Sequence, residues 1–231
     1  MSIKKQVLAR LEQARGQDLS GQELAQQLGV SRNAVWKAVT ALRQDGYHIL
    51  SSTNKGYRLA ADNDVLDGET LREGLLPCYR KLDILIYPEL DSTNNEAKRL
   101  LVSRGEQPLL LLADRQTQGR GRQGRSFYSP PGSGLYMTLV IHPQTPLAGA
   151  LSVTTMTSVA VVRAIRALTD RQPLIKWVND IYLEGKKICG ILTEAVSDCE
   201  IATVQSLVIG IGVNVSTSDF PPELAGVSSA L

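Results

Sequence analysis

Four short segments of this 231-residue sequence carry the side chains that could do chemistry. The most distinctive is QTQGRGRQGR at residues 116–125, where glycine and arginine alternate. Backbone amides and guanidinium groups in such a segment can close over a phosphate group. We therefore expect a flexible phosphate-binding loop here, with a solvated basic loop as the alternative.

The same segment contains the pattern G-x-G-x-x-G, which is typical of dinucleotide-binding folds when a helix begins inside it. Here the chain runs on into Ser126–Gly132, where two consecutive prolines exclude a helix. A Rossmann-type dinucleotide site is therefore rejected, and a dehydrogenase is only a remote alternative.

Two further segments place polar or small residues beside apolar runs. In DSTNNE at 91–96, Thr93 and Glu96 have capping-box spacing. This predicts a helix N-terminus, which is either a cap alone or a place where free N–H groups hold a polar ligand. In the apolar run at 208–215, Gly210 and Gly212 leave one strand face bare, either for a flat ligand or for close strand packing.

The fourth segment, residues 175–192, predicts a β-hairpin in which Lys176, Asn179 and Asp180 interrupt an apolar strand. Burying these groups without a task would be costly. A lysine here could neutralise the charge that develops when a carboxylate attacks a nucleotide phosphate. A nearby aspartate could orient that lysine or hold magnesium. An ordinary surface salt bridge is the alternative.

Elements around these segments predict an α+β fold built on a mixed sheet. Apolar runs predict strands at Ile84–Tyr87, Leu109–Ala113, Leu135–Ile141 and Leu207–Val213. Helical periodicity predicts helices at Asn94–Arg104 and Leu151–Thr169.

The first sixty residues predict three helices, a tight turn at Gly29-Val30 and a β-hairpin, which is the order of a winged helix-turn-helix. We expect Ile3, Val7, Leu8 and Leu11 on the inner face of the first helix, and Val35, Val39 and Leu42 on that of the third. We expect Trp36 to pack against the domain. The acidic stretch Asp62–Gly68 predicts a linker, with domains at 1–62 and 63–231.

Residues 1–60 hold nine Lys/Arg and four Asp/Glu, whereas the remainder holds sixteen and nineteen. A basic N-terminal domain favours binding to a polyanion. The predicted DNA-contacting residues are Ser31, Arg32, Asn33, Lys37, Thr40 and Arg43 of the third helix, with Lys55 and Arg58 in the wing. A dimerisation or docking module is the alternative.

Composition sets the remaining limits. The hydrophobic fraction of 43% and the charged fraction of 21% are those of a globular protein, and no apolar run approaches the roughly 20 residues that span a bilayer. Three cysteines without metal-ligand spacing favour a reducing cytoplasm. We therefore expect a cytoplasmic protein without a membrane partner.

Taken together, the motifs resemble the bacterial biotin protein ligases that are also biotin operon repressors. The resemblance rests on DSTN at 91–94, QTQGRGRQGR at 116–125, KWVND at 176–180, KKICGIL at 186–192 and GIGVN at 210–214, in family order after the helix-turn-helix. It implies a class II synthetase-like catalytic domain that uses biotin, ATP and magnesium. Biotinyl-5′-AMP would form first, and biotin would then pass to a lysine of a biotin carrier protein, such as that of acetyl-CoA carboxylase.

The resemblance also implies roles for individual residues. Biotin would be held by Ser92, Thr93, Asn94, Gln116, Gly119, Arg120, Gly121, Arg122, Lys187, Gly190, Gly210 and Gly212. The nucleotide would be held by Arg122, Phe127, Lys176, Asn179 and Asn214. Catalysis would fall to Lys187, Arg120, Arg122 and Asp180, with Asp180 also near magnesium.

Family members with this N-terminal domain form a homodimer when liganded and bind operator DNA. This sequence departs from the family at Val178, where proline is usual, and at Phe127, where tryptophan is frequent. Family members usually continue into a small C-terminal β domain, and we expect none within these 231 residues. The alternatives are a sensor that binds biotin or its adenylate without transferring it, and a relative of the lipoate ligases.

Overall fold

The computed structural model describes residues 2–52, 55–143, 145–146, 149–197 and 203–231. Contacts between residues divide the chain into two compact units, Met1–Gly74 and Leu75–Leu231. Residues 63–74 belong by contacts to the first unit, and the functional boundary after residue 62 stays a prediction.

The first unit has the order of a winged helix-turn-helix. Its elements are α1 (Ile3–Gln13), α2 (Gly21–Leu28), α3 (Arg32–Gln44), β1 (Ile49–Ser52), β2 (Gly56–Leu59) and α4 (Gly68–Gly74). The hydroxyls of Ser2, Ser20 and Ser31 each accept a backbone N–H and so cap α1, α2 and α3. Gly29 takes the left-handed conformation (φ 64°) that the turn between α2 and α3 requires.

The core of the first unit lies between the three helices and the hairpin. The predicted inner residues of α3, Val35, Val39 and Leu42, are buried. Ile3, expected inside, is 39% exposed at the first position of α1. The expectation that Trp36 packs inward is wrong, because its side chain is 55% exposed. Position 36 lies about 100° around the helix from Val35, outside the buried stripe.

The second unit is one mixed sheet with helices on its two faces. Its elements are β3 (Asp83–Leu90), α5 (Thr93–Arg104), β4 (Leu109–Gln116), β5 (Gly134–Ile141), β6 (Thr145–Pro146), α6 (Gly149–Leu168), β7 (Leu174–Lys176), β8 (Asp180–Leu183), β9 (Lys186–Ser197), β10 (Thr203–Asn214) and α7 (Pro222–Ala225). The strand order is β3-β4-β5-β10-β9-β8-β7, with β6 beside β10. Only β3 and β4 run parallel among the described pairs.

The predicted strands and helices of this unit are confirmed, with one difference. Residues 175–182 form two strands instead of one, since β7 ends at Lys176 and β8 begins at Asp180. A turn over 177–179 separates them, so Asn179 and Asp180 stand at a strand end and not inside a strand.

Alternate residues of β10 point to opposite faces of the sheet. Val208 packs with Ala97 of α5, whereas Ile209 packs with Val161 of α6. Gly210 and Gly212 share the face of Val208, so they lie on the same side as α5. None of the described helices is long and apolar enough to cross a membrane.

Candidate active site

A cavity of about 530 Å³ opens on the α5 side of the sheet, a size typical of small-ligand sites. It is lined by most of the residues that the sequence singled out: Ser92, Thr93, Asn94, Gln116, Arg120, Gly121, Arg122, Phe127, Asn179, Asp180, Lys187, Gly190, Gly210, Gly212 and Asn214. Two predicted residues, Gly119 and Lys176, are not among the lining residues.

The N-terminus of α5 is capped by a side chain from another element. The N–H and Oγ1 of Thr93 both donate to Oε1 of Gln116, at 2.8 and 3.1 Å. Nε2 of Gln116 donates to Oγ of Ser129 at 2.9 Å. The predicted capping box between Thr93 and Glu96 is therefore wrong: Ser92 is the N-cap residue, and Gln116 on β4 takes the capping role.

The glycines of β10 face two side chains of the protein itself. Asn94 approaches Gly210 so closely that a Cβ there would collide with its amide. A Cβ on Gly212 would lie 2.5 Å from Cε1 of Phe127, and the same ring lies 3.3 Å from a Cβ position on Gly190. The bare glycine face is thus covered by Asn94 and Phe127 in this structure.

Asn94 is fixed by a polar network that is buried at Asn94 and Thr138 and partly exposed at Glu194 and Lys98. Its Oδ1 accepts from Oγ1 of Thr138 at 2.7 Å, and its Nδ2 donates to Oε2 of Glu194 at 2.9 Å. Lys98 donates to the other oxygen of Glu194 at 3.0 Å. Burial raises the pKa of the Glu194 carboxyl, but hydrogen bonds from Asn94 and Lys98 outweigh it, so that its pKa lies below the usual range.

The glycine–arginine loop is folded on itself. The N–H of Gly121 donates to the carbonyl of Arg125 at 2.7 Å, and the N–H of Phe127 donates to that of Gly119 at 2.8 Å. A Cβ on Gly119 would collide with the backbone of Phe127, so this glycine is needed for close packing behind the loop. The sequence predicted a flexible loop here, whereas in the structure backbone hydrogen bonds join its two ends.

Two arginines of the loop lie across the cavity. Arg120 donates to Oδ1 of Asn95 at 2.9 Å and lies 3.5 Å from Glu194. Arg122 donates to Oδ1 of Asn179 at 3.1 Å. The hydrogen-bond acceptors of the two arginines are both neutral amides. The charge of Arg122 therefore remains available to an anion, whereas that of Arg120 is partly offset by Glu194.

Lys187 is paired with Asp180. Its Nζ lies 2.7 Å from Oδ1 of Asp180, with 30% of the lysine side chain exposed toward the cavity. The backbone of Lys187 is also held on both sides: its N–H donates to Val227 at 2.9 Å and its carbonyl accepts from Ser229 at 2.9 Å. Nδ2 of Asn179 donates to the same Oδ1 of Asp180 at 3.2 Å.

Asn214 ends β10 at the cavity wall and is only 4% exposed. Its Nδ2 donates to the carbonyl of Ser229 at 3.0 Å. Its Oδ1 is buried and has no hydrogen-bond partner among the described residues. A buried acceptor left unpaired costs free energy, so this oxygen is well suited to accept a hydrogen bond from a ligand.

The cavity has a positive balance. Arg120, Arg122, Arg125 and Lys187 line it, and Asp180 is the one acidic lining side chain in the described part of the chain. No group of three or more His, Cys, Asp or Glu side chains that could hold a metal occurs within the described ranges. The arrangement can bind a polyanion and has no preformed multidentate metal site among those residues.

Lys176 does not line the cavity but contacts a residue that does, Tyr182. Its Nζ donates to the hydroxyl of Tyr182 at 3.3 Å and lies 4.9 Å from the centre of that ring.

One wall of the cavity was not predicted from the sequence. This wall comes from the last residues of the chain: Phe220, Leu224, Val227 and Ser228. The Pro221-Pro222 pair signals the start of a helix, but nothing local to it signals a ligand.

The two cysteines within the described ranges, Cys78 and Cys189, do not line this cavity. Burial raises the pKa of the Cys189 thiol to about 12, which keeps it protonated and unreactive. Cys78 is exposed in a short 3-10 turn, Pro77–Tyr79.

The predicted DNA-contacting residues fall into two groups in the structure. Arg32, Asn33 and Lys37 are exposed on α3 and make no side-chain hydrogen bond or ion pair within the described residues. Lys55 is exposed in the turn directly before the second wing strand. Oγ of Ser31 is engaged as the cap of α3, accepting from Ala34 at 3.2 Å.

The remaining members of the predicted set have partners inside the first unit. Arg43 donates to the carbonyl of Ile49 at 2.6 and 2.8 Å and to Oγ of Ser51 at 2.6 Å. Arg58 makes two hydrogen bonds to Asp18, at 2.6 and 2.9 Å. Oγ1 of Thr40 donates to the carbonyl of Trp36 at 2.9 Å.

A winged helix-turn-helix followed by a mixed α+β unit with a cationic cavity defines a class of DNA-associated, anion-binding proteins. The family is shown by comparison: the chain belongs to the biotin/lipoate A/B protein ligase family, whose model matches residues 87–214. A second model, an HTH domain, matches residues 4–58.

Known proteins are similar over most of the chain. The bifunctional ligase/repressor BirA of Bacillus subtilis is 37% identical over 100% of this chain and 71% of that protein. The protein of the same name from Escherichia coli is 30% identical over 88% of this chain and 61% of that protein. A biotin protein ligase from Aquifex aeolicus, solved in complex with biotin and ATP, has a TM-score of 0.54 and 33% identity, over 64% of this chain and 59% of that chain.

Proposed function

We propose that the second unit activates biotin with ATP and transfers it to a lysine of a biotin carrier protein. The observation that carries this proposal is the cation cluster around the cavity, in which Lys187, Arg120 and Arg122 converge beside the start of α5. The names of the relatives support biotin as the substrate. The carrier protein is the acceptor that a ligase of this family requires.

Two displacements make up the proposed reaction. In the first, a carboxylate oxygen of biotin bonds to the α-phosphorus of ATP, and the bond to pyrophosphate breaks. In the second, the unprotonated amine of the carrier lysine bonds to the carbonyl carbon of biotinyl-5′-AMP, AMP leaves, and the amine loses a proton. The enzyme supplies no covalent nucleophile, so positioning and charge neutralisation provide the rate acceleration.

We assign to Lys187 the neutralisation of the negative charge that develops on the phosphate during attack. Asp180 holds its ammonium group 2.7 Å away, so its position is set before the substrates arrive. Arg120 and Arg122 would exchange their amide partners, Asn95 and Asn179, for phosphate oxygens. A charged acceptor in place of a neutral one strengthens such a bond about twofold.

The remaining contacts follow from the walls of the cavity. Ser92 and Thr93 at the start of α5, with Gln116 at the end of β4, would hold the ureido end of biotin. Asn214 would accept a hydrogen bond from the nucleotide. Phe127 would have to leave Gly212 and Gly190 for a flat group to lie on them. The contact of Lys176 with the nucleotide stays a prediction.

Magnesium fits this site only as the partner of a nucleotide. Mg²⁺ usually keeps several waters and is held by one or two carboxylates together with substrate phosphates. Asp180 offers one such carboxylate, beside the amide of Asn179. When bound, the ion would supply charge neutralisation to the phosphates.

For the first unit we propose binding to operator DNA, with a homodimer of the liganded chain as the binding form. Its exposed basic residues on α3 and the family of ligase/repressors support this proposal. Two copies would present two recognition helices to two half-sites.

The test uses the full chain, biotin and magnesium ATP labelled at the α-phosphate. We expect labelled biotinyl-5′-AMP and free pyrophosphate, with a much smaller yield when lipoate replaces biotin. A larger yield with lipoate would instead indicate a lipoate ligase. Absence of any adenylate would contradict the proposed activity, and an adenylate that never reaches a carrier would favour a sensor.

A further inference from the structure

The recognition helix α3 presents an exposed tryptophan at the centre of its free polar residues. Trp36 is 55% exposed, and on a helix it neighbours Arg32 and Asn33 one turn before it. Lys37 follows it directly. The exposed indole ring therefore shares a helix face with Arg32 and Asn33, whose side chains have no partner within the described residues.

The C-terminal half of α3 is occupied with the wing. Three hydrogen bonds from Arg43 to Ile49 and Ser51 fasten the helix to β1, and the hydroxyl of Thr40 is turned back to the helix backbone. Free side chains are thus concentrated in the first turns of α3. In helix-turn-helix proteins the N-terminal residues of the recognition helix contact base edges.

We propose that Trp36 contacts DNA in the major groove, where its ring packs on the methyl group of a thymine. This inference rests on the proposed DNA binding of the first unit and assigns a specificity-determining residue to it. The charge around the ring favours DNA over a protein surface, because residues 1–60 carry nine Lys/Arg against four Asp/Glu. The thymine methyl is the apolar feature that the major groove presents to such a side chain.

On the same grounds we assign Arg43 a different role from the phosphate contact that its charge predicts. Its guanidinium group holds the wing against α3 by hydrogen bonds. Loss of this side chain would therefore loosen the hairpin, and it would not act as the loss of a phosphate contact. Trp36, Arg32 and Asn33 then form the reading surface, and Lys37 is assigned a phosphate contact beside it.

The probe for the test is a duplex that the wild-type chain selects from a random-sequence library in the presence of biotin and magnesium ATP. Each thymine of that duplex is replaced in turn by uracil, which lacks the methyl group. For the wild type we expect about a fivefold or greater loss of affinity at one or more of these positions. For Trp36→Ala we expect weaker binding to the parent duplex and no further loss at those positions.

Lys37→Ala is the matched control on the same surface. It should weaken binding to all duplexes alike and lower the slope of log affinity against log salt by about one, whereas Trp36→Ala should leave that slope unchanged. In a Trp177→Phe background the fluorescence of Trp36 should change when the duplex is added. Trp36→Phe, which keeps an aromatic ring, should restore part of the uracil sensitivity.

Three results would overturn the inference. Equal uracil sensitivity in the wild type and in Trp36→Ala would show that another residue reads the methyl group. A fluorescence change of Trp36 on adding biotin and ATP, with none on adding DNA, would place the ring against protein. Failure of the wild type to select any duplex would refute the DNA binding itself, and is distinct from the first two results.

Discussion

Nζ of Lys187 lies 2.7 Å from Oδ1 of Asp180, at the edge of a cavity that three arginines also line. The peptide groups on both sides of the lysine are bonded to Val227 and Ser229, and Ser229 is in turn bonded to Asn214. The lysine and the asparagine on the opposite strand are thus held in one hydrogen-bonded frame. This frame holds the backbone of Lys187 in place relative to Asn214, and Asp180 positions the ammonium group.

Asp180→Asn should slow adenylate formation by lowering kcat more than it raises KM, because it removes the charge that positions Lys187. Lys187→Ala should slow it by about 100-fold or more, the scale for losing one group that stabilises transition-state charge. Rates of pyrophosphate release from biotin and magnesium ATP measure both effects. Lys186→Ala, at an exposed neighbouring position that does not line the cavity, is the matched control. Equal effects of Lys186→Ala and Lys187→Ala would contradict the assignment.

Gln116→Leu should destabilise the second unit by about 1–3 kcal/mol, since it leaves the N–H and hydroxyl of Thr93 without their acceptor. Urea unfolding followed by circular dichroism measures this loss. Biotin binding should weaken as well, because the start of α5 loses its fixed position. Gln118→Leu, at an exposed position of the same segment, should leave the unfolding free energy and the biotin affinity near their wild-type values. Unaltered stability of Gln116→Leu would show that the cap contributes nothing.

Gly212→Ala should cost about 1–3 kcal/mol, because the new Cβ would meet the ring of Phe127 at 2.5 Å. The same change in a Phe127→Ala background should cost much less, since the ring is gone. The four unfolding free energies form a double-mutant cycle that measures the coupling. Gly226→Ala serves as the control, because no described atom lies within 4 Å of its Cβ position. A cost of Gly212→Ala that is the same in both backgrounds would disprove the contact.

Stability of the second unit should depend on the charge of Asp91. Hydrogen bonds from Arg99 hold the pKa of this carboxyl well below its usual range. A pKa lowered by folding contributes stability above the unfolded-state value, about 3.9, and that contribution is lost as the pH falls further. The difference in unfolding free energy between the wild type and Asp91→Asn should therefore shrink as the pH falls from about 6 to about 3. A constant difference for Asp91→Asn across this pH range would rule out the linkage.

Local sequence patterns could predict most of the elements and the membership of the cavity. Three of the four chemical segments follow or end a strand, and the fourth runs from β7 into β9. One sheet therefore places Arg122, Asn179 and Gly212 around the same cavity. The winged helix-turn-helix was predictable for the same reason, since its caps and its buried stripe depend on spacing along the chain.

Features that depend on distant partners were not predictable. The cap of α5 comes from Gln116, on a different strand, and no spacing rule links it to Thr93. The positive charge of Arg43 favours a phosphate contact, but its hydrogen-bond partners, Ile49 and Ser51, lie in the wing. The exposure of Trp36, by contrast, follows from spacing along the chain, because position 36 lies about 100° around the helix from Val35 and outside the buried stripe.

The central claim is that this chain passes biotin through an adenylate to a carrier lysine. The most direct test is incorporation of labelled biotin into a purified biotin carrier domain with magnesium ATP, for the wild type, Lys187→Ala and Lys186→Ala. We predict labelling of the carrier by the wild type and by Lys186→Ala, and its loss with Lys187→Ala. An unlabelled carrier with the wild-type chain, in the presence of a biotinyl-5′-AMP that it has formed, would contradict the transfer step.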